Sequence, residues 1–145
     1  MKKILFICTG NYYRSRFAEA IFNHYAAEKK LKWRAFSRGL ATWMVMPAHG
    51  PIALEVRRLL QQRDIPETHT SAAPTQLTLE DLTAADKIIA LKEEEHRPMM
   101  IRQFPDWAPK IQYWAVHDID RTHPSEALPD IEKQVLDLIK SLASK

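Results

Sequence analysis

The sequence predicts an α/β fold of three layers, in which a four-stranded parallel sheet carries helices on both faces. Short apolar runs alternate along the chain with segments whose apolar residues recur at helical spacing. No repeat or low-complexity segment interrupts this alternation. The length of 145 residues, 46% of them hydrophobic, predicts one domain spanning residues 1–145. In such folds right-handed crossovers join the strands, and functional groups collect at the carboxyl ends of the strands.

The first half of the chain is predicted to contain two strands and two helices. The apolar run near the N-terminus predicts a buried strand over residues 2–8, and an alternating pattern predicts a second strand over residues 32–37. Between them, residues 15–30 have helical spacing and end on two lysines, which suit the negative end of the helix dipole. Residues 51–63 begin with proline, which is typical of a first helical turn. Residues 38–50 are predicted to form a loop.

The second half continues the alternation. Thr78 is a typical capping residue and opens a short helix after a polar connection. Residues 92–103 are predicted to be helical, and Pro98 indicates either a kink or a later start of that helix. Two further strands are predicted at residues 87–91 and 111–116. A polar loop is predicted at residues 117–129, followed by an amphipathic last helix at residues 130–142.

The loop between the first strand and the first helix carries the strongest chemical signal. It reads Cys8-Thr9-Gly10-Asn11-Tyr12-Tyr13-Arg14-Ser15. Backbone N–H groups of such a loop converge with the positive end of the helix dipole, which creates an anion site. The planar guanidinium of Arg14 suits a phosphate-like oxyanion, because it donates two parallel hydrogen bonds. Cys8 would otherwise be a small apolar residue at a strand end, but this positive field and the Ser15 hydroxyl favour a nucleophilic thiolate.

Composition excludes several classes of protein. A single cysteine excludes an internal disulfide and is typical of the reducing cytoplasm. No apolar run approaches the roughly 20 residues of a membrane span, and the N-terminus lacks the cleavage site of a signal peptide. The net charge of +3 is too small and dispersed for nucleic-acid binding, and the histidine spacing fits no zinc pattern. We expect a cytoplasmic protein without cofactor, metal, nucleic acid or membrane partner.

A cysteine, five residues, arginine and serine directly after the first strand resemble the signature of the low-molecular-weight protein tyrosine phosphatases. The similarity covers essentially the whole chain, since Ser37-Arg38-Gly39 stands where the family has Ser-Ala-Gly, and Asp86-Lys87-Ile88-Ile89 matches a later Asp-x-Ile-Ile. The resemblance implies a phosphatase that acts on tyrosine-phosphorylated proteins or small aryl phosphates through a phosphocysteine. Inorganic phosphate and related oxyanions are expected to bind as inhibitors.

The catalytic residues implied are Cys8 as nucleophile, Arg14 as phosphate clamp and Asp118 as general acid and base. Asp120 is the alternative acid and is otherwise expected to line the substrate cleft. Tyr12 and Trp43 are expected to form walls of that cleft. The phosphate-binding residues are expected to be Thr9, Gly10, Asn11, Tyr12, Tyr13, Arg14 and Ser15.

Residues behind the loop are expected to support it. The resemblance implies that His69 contacts Asn11, and that Ser15 and Ser37 take part in the same supporting shell. Because the parallel strands end at one edge of the sheet, the loops over residues 8–15, 38–50 and 117–129 are predicted to meet in one cleft.

Three positions depart from the family pattern, and three other functions remain open. Arg16 replaces a common proline, Tyr13 replaces a second loop cysteine, and Asp118-Ile119-Asp120-Arg121 replaces Asp-Pro followed by aromatic residues, which bears on phosphotyrosine specificity. An arsenate reductase of the same fold would need further cysteines or an external thiol. A phosphate carrier would need neither Arg14 nor a loop acid. A phosphate- or phosphoprotein-binding module would keep the loop without turnover.

Overall fold

The computed structural model describes residues 1–44, 52–66, 73–115 and 124–144, the last range with side chains from Leu128 onward. Its sheet has the strand order β2-β1-β3-β4, and every pair of neighbouring strands is parallel. The strands are β1 Lys2–Cys8, β2 Trp33–Gly39, β3 Lys87–Ala90 and β4 Gln112–Tyr113. The predicted four-stranded parallel sheet is therefore confirmed.

Five α-helices lie in the described ranges and cover both faces of the sheet. They are α1 Arg14–Glu28, α2 Leu54–Gln62, α3 Leu79–Ala84, α4 Glu93–Gln103 and α5 Pro124–Ala143. Two short 3-10 helices span Thr42–Met44 and Ala108–Lys110. Within these ranges, no helix is both long and apolar enough to span a membrane.

The central strand β1 separates two hydrophobic cores. Side chains alternate between the faces of a strand, so Ile4 and Phe6 belong to one core and Leu5 and Ile7 to the other, all with 0% exposure. Apolar residues of α1, α2 and α5 complete the first core, and α3 and α4 complete the second. Burial on both faces explains why the β1 sequence is continuously apolar rather than alternating.

The register of the sheet brings distant parts of the chain to one edge. Cys8 at the end of β1 pairs with Gly39 at the end of β2, and Ile7 pairs with Ala90 at the end of β3. The loop after β1 and the start of α4 after β3 therefore lie at the same carboxyl edge of the sheet, where parallel α/β folds place their functional groups.

Two predicted boundaries were wrong, and one alternative is excluded. Helix α5 begins at Pro124, six positions before the predicted start at 130; a proline suits the first helical turn, and the helix continues through a second proline, Pro129. Strand β4 has two residues rather than the six predicted over 111–116, although the Trp114 N–H still donates to the Ala90 carbonyl at 2.8 Å. Helix α4 begins at Glu93 and continues through Pro98, so the later start is excluded.

Candidate active site

The loop after β1 is fixed to the end of β2 by backbone hydrogen bonds. The N–H groups of Leu40 and Ala41 donate to the carbonyls of Cys8 and Thr9 at 3.0 and 2.8 Å. This close approach depends on Gly39, where an added Cβ would lie 2.8 Å from the Thr9 carbonyl oxygen and 2.9 Å from the Asn11 nitrogen. Contacts that short are not found for real Cβ atoms, so only glycine fits at this position.

Asn11 holds the loop together from its centre. It adopts a positive φ of 51°, which asparagine tolerates better than most residues. Its Nδ2 group donates to the hydroxyls of Ser15 and Ser37 at 3.0 and 2.9 Å, and its Oδ1 accepts the N–H of Thr75 at 2.8 Å. Every polar group of this buried amide is paired, which fixes the loop backbone in one conformation.

Cys8 and Ser15, the predicted nucleophile and its predicted hydrogen-bond donor, lie in contact. Cys8 is 2% exposed, and its Sγ lies 2.8 Å from Ser15 Oγ. Ser15 Oγ also accepts a hydrogen bond from Asn11, and it donates its own proton to the sulfur when Cys8 is a thiolate, which has no proton to give. A thiolate at Cys8 is thereby provided with a hydrogen-bond donor that stabilises its charge.

A buried polar chain extends from the loop into α1. Ser37 Oγ accepts from Asn11 and donates to Glu19 Oε1 at 2.5 Å. Burial raises the pKa of the Glu19 carboxyl, while the Ser37 hydrogen bond and the charge of Arg16 lower it. The position of Ser37 behind the loop agrees with its expected supporting role, and Glu19 extends that shell by one residue.

Arg16 lies beneath the loop, at the position where the resembling family commonly has proline. Only 2% of its surface is exposed. Burial lowers the pKa of its guanidinium, while the nearby charges of Glu19 and Cys8 raise it. Arg16 is therefore a second buried cation, besides Arg14, close to Cys8.

Arg14 contacts a carboxylate that the sequence analysis missed. Its Nη2 donates to Glu95 Oε2 at 2.8 Å, and the Thr9 hydroxyl donates to the same oxygen. Burial raises the pKa of Glu95, but the hydrogen bond from His96 and the charge of Arg14 outweigh it and hold the pKa well below its usual range. Glu95 lies after the carboxyl end of β3, in a segment that the three predicted loops did not include.

The predicted aromatic residues occupy different environments. Tyr12 is half-buried and packs against the first core, and its carbonyl accepts the N–H of Ala53 at 2.9 Å. Trp43 is 71% exposed, two residues beyond the Ala41 contact with the loop. Within the described residues the Tyr13 hydroxyl has no hydrogen-bond partner; burial and the charge of Glu55 raise its pKa to about 12.

The remaining predicted site residues lie outside the described part of the chain. They are Asp118, Asp120 and His69. The general acid and the expected contact between His69 and Asn11 therefore stay predictions. Among the three predicted loops, the structure brings the loop after β1 and the start of the loop after β2 together.

The profile of the family "Low molecular weight phosphotyrosine protein phosphatase" matches residues 3–145. The chain is 27% identical over 122 residues to the low molecular weight phosphotyrosine protein phosphatase of Gallus gallus, covering 81% of this chain and 73% of that protein. It is 28% identical over 143 residues to the protein-arginine-phosphatase of Bacillus subtilis (strain 168), covering 96% of this chain and 90% of that protein. The crystal structure of YfkJ from Bacillus subtilis superimposes with a TM-score of 0.84 at 26% identity, covering 99% of this chain and 96% of YfkJ. This chain therefore belongs to the low molecular weight phosphotyrosine protein phosphatase family.

Proposed function

We propose that this phosphatase hydrolyses aryl phosphate monoesters, phosphotyrosine in proteins among them, through a phosphocysteine at Cys8. The observation that carries the proposal is the 2.8 Å contact between Cys8 Sγ and Ser15 Oγ at the mouth of a loop that also bears Arg14. A thiolate that is stabilised by a hydrogen-bond donor can attack phosphorus, and an adjacent arginine can bind the phosphate oxygens. These two features support covalent phosphoryl transfer.

In the first step the Cys8 thiolate attacks phosphorus, and the bond from phosphorus to the phenolic oxygen breaks. Arg14 and the loop amides bind the equatorial oxygens, so positioning and electrostatics supply most of the rate enhancement. Ser15 stabilises the thiolate before attack and again when water releases the phosphate. Asp118 is proposed to protonate the leaving oxygen and then to accept a proton from the attacking water.

Phosphoarginine is a second candidate substrate. The relative whose alignment covers 96% of this chain is a protein-arginine-phosphatase. The covalent step at Cys8 would be the same, with a guanidinium nitrogen in place of the phenolic oxygen as leaving atom. Inorganic phosphate, vanadate and tungstate are expected to bind the loop whichever phosphoryl donor is used.

Release of inorganic phosphate from phosphotyrosine and from phosphoarginine tests both candidates. Wild-type protein should turn over at least one of them, while Cys8→Ser should be inactive and Arg14→Lys severely impaired, because an ammonium cannot reproduce the planar fork of guanidinium. Oxyanion binding should survive in Cys8→Ser. Normal hydrolysis by Cys8→Ser would refute the proposal.

A further inference from the structure

Glu95 is held at one oxygen by three side chains of the active-site region. Its Oε2 lies 2.8 Å from Arg14 Nη2 and 3.1 Å from His96 Nε2, and it also accepts the hydroxyl proton of Thr9. Two of these donors belong to the loop after β1, at a separation of more than 80 residues along the chain. The carboxylate is therefore built into the site rather than placed at its surface.

The third donor is fixed by its own environment. His96 is 0% exposed, and its Nδ1 accepts the backbone N–H of Lys92 at 3.1 Å. An Nδ1 that accepts carries no proton, so the imidazole is neutral and its proton is on Nε2. His96 Nε2 therefore donates toward Glu95 Oε2 at 3.1 Å, with Thr9 Oγ1 at 3.2 Å from the same nitrogen, and the start of α4 helps to hold this carboxylate.

Among the described residues, Glu95 accepts hydrogen bonds from side chains and not from the amides of the loop after β1. In the described ranges, its hydrogen-bond donors are these three side chains, and no backbone N–H of residues 9–15 is among them. The loop amides form the anion cradle. A carboxylate that mimicked bound phosphate would accept from them, whereas Glu95 approaches Arg14 from the side of α4.

We propose that Glu95 is a positioning residue, which orients the Arg14 guanidinium for phosphate and for the transition state. The inference rests on the proposed roles of Cys8 and Arg14. An arginine side chain has many rotamers, and a fixed hydrogen bond at Nη2 removes those that turn its fork away from the loop. His96 and Thr9 act through Glu95 by fixing the carboxylate that fixes the arginine.

Glu95→Gln tests this role, with Glu94→Gln as the matched control. Both variants remove one charge from the first turn of α4, but Glu94 is exposed, and the ion pair of Arg14 in this turn is with Glu95. We expect Glu95→Gln to lower kcat/KM for an aryl phosphate about 10- to 100-fold, the scale of a small misplacement of a catalytic group, and to weaken vanadate binding. Glu94→Gln should match wild type.

A double-mutant cycle separates positioning from a purely structural role. In an Arg14→Lys background there is no planar fork to orient, so adding Glu95→Gln should cost less than threefold in kcat/KM for an activated aryl phosphate. A structural role would give the same loss in both backgrounds and would overturn the proposal. If Glu95→Gln lowers KM and tightens vanadate binding, Glu95 repels the substrate instead of orienting Arg14. That outcome would also overturn the proposal.

Failure of this inference is distinguishable from failure of the proposed function. If wild-type protein hydrolyses the aryl phosphate and Glu95→Gln is as active as Glu94→Gln, the positioning role alone is refuted. If Cys8→Ser retains normal turnover, the covalent mechanism is refuted, and vanadate affinity of Glu95→Gln still reports on whether Glu95 orients Arg14.

Discussion

At the scale of single residues, the hydroxyl groups of Ser15 and Ser37 connect Asn11 to Cys8 and to Glu19. Ser15 accepts a hydrogen bond from Asn11, lies 2.8 Å from Cys8 Sγ and can donate its own proton to a Cys8 thiolate. Ser37 accepts the second Asn11 N–H and donates its own proton to Glu19 at 2.5 Å. Both hydroxyls are thus held by one buried amide, whose oxygen accepts the N–H of Thr75.

Ser15→Ala should slow catalysis without displacing the loop. It removes the donor to the thiolate, and a hydrogen bond to a charged group contributes about 1.5–3 kcal/mol. Since about 1.4 kcal/mol is tenfold in rate, the expected loss in kcat is roughly 10- to 100-fold. Steady-state kinetics with an aryl phosphate would show the loss. An unchanged rate would contradict the assignment of Ser15 as the donor to the thiolate.

The predicted general acid, Asp118, can be tested by comparing substrates with different leaving groups. Asp118→Asn should slow phenyl phosphate or phosphotyrosine roughly 10²–10⁴-fold, the usual contribution of general acid catalysis. It should affect an activated aryl phosphate much less, because a good leaving group departs without protonation. Asp120→Asn serves as the control and should do neither. The reverse pattern would transfer the role to Asp120, and near-normal phosphotyrosine rates in both variants would exclude this loop as the source of the acid.

At the scale of elements, the ends of three parallel strands determine the shape of the site. Strand β1 delivers Cys8, the end of β2 supplies the glycine that allows close approach, and α4 after β3 supplies Glu95. Helix α1 begins at Arg14, so its N-terminal N–H groups and dipole face the loop. The positive potential that attracts an anion therefore comes from the backbone of α1 as well as from the arginine side chain.

Gly39→Ala tests the contact between β2 and the loop. A methyl group there would lie 2.8 Å from one loop backbone atom and 2.9 Å from another, so the loop must move. Overpacking of this kind costs about 1–3 kcal/mol, and the free energy of unfolding should fall by that amount in denaturant titrations. Vanadate affinity should fall with it. A variant of wild-type stability and affinity would mean that the loop conformation does not depend on this approach.

The stability of the whole molecule depends on pH, and Glu95 is expected to make the folded state less stable as the pH falls. Its pKa is lowered by folding, so its contribution is present above the unfolded value of about 4.3 and is lost as pH falls toward the lower folded value. Glu95→Gln should therefore lower the melting temperature most above pH 5. The difference from wild type should shrink progressively below about pH 4, and Glu94→Gln should show no such trend. A difference that grows on acidification would contradict the sign.

The parts of the fold that are local in sequence were predictable. The order of strands and helices follows from periodicity, and the nucleophile, arginine and serine lie within eight consecutive residues between β1 and α1. Glu95 was missed because its role depends on a tertiary contact with Arg14 across 81 positions, which no local pattern encodes. The start of α5 was misplaced because Pro129 resembles a helix boundary, since a proline beyond the first turn lacks the N–H that would donate to the carbonyl four residues earlier.

Trapping the covalent intermediate tests the central claim most directly. Wild-type protein is mixed with an activated aryl phosphate, quenched in denaturant within the first turnovers, digested and analysed by mass spectrometry. The account predicts one phosphoryl group on the sulfur of Cys8, appearing with a burst of phenol and absent in Cys8→Ala. Continued phosphate release by Cys8→Ala, or rapid turnover by wild-type protein with the phosphoryl group found on another residue, would contradict it.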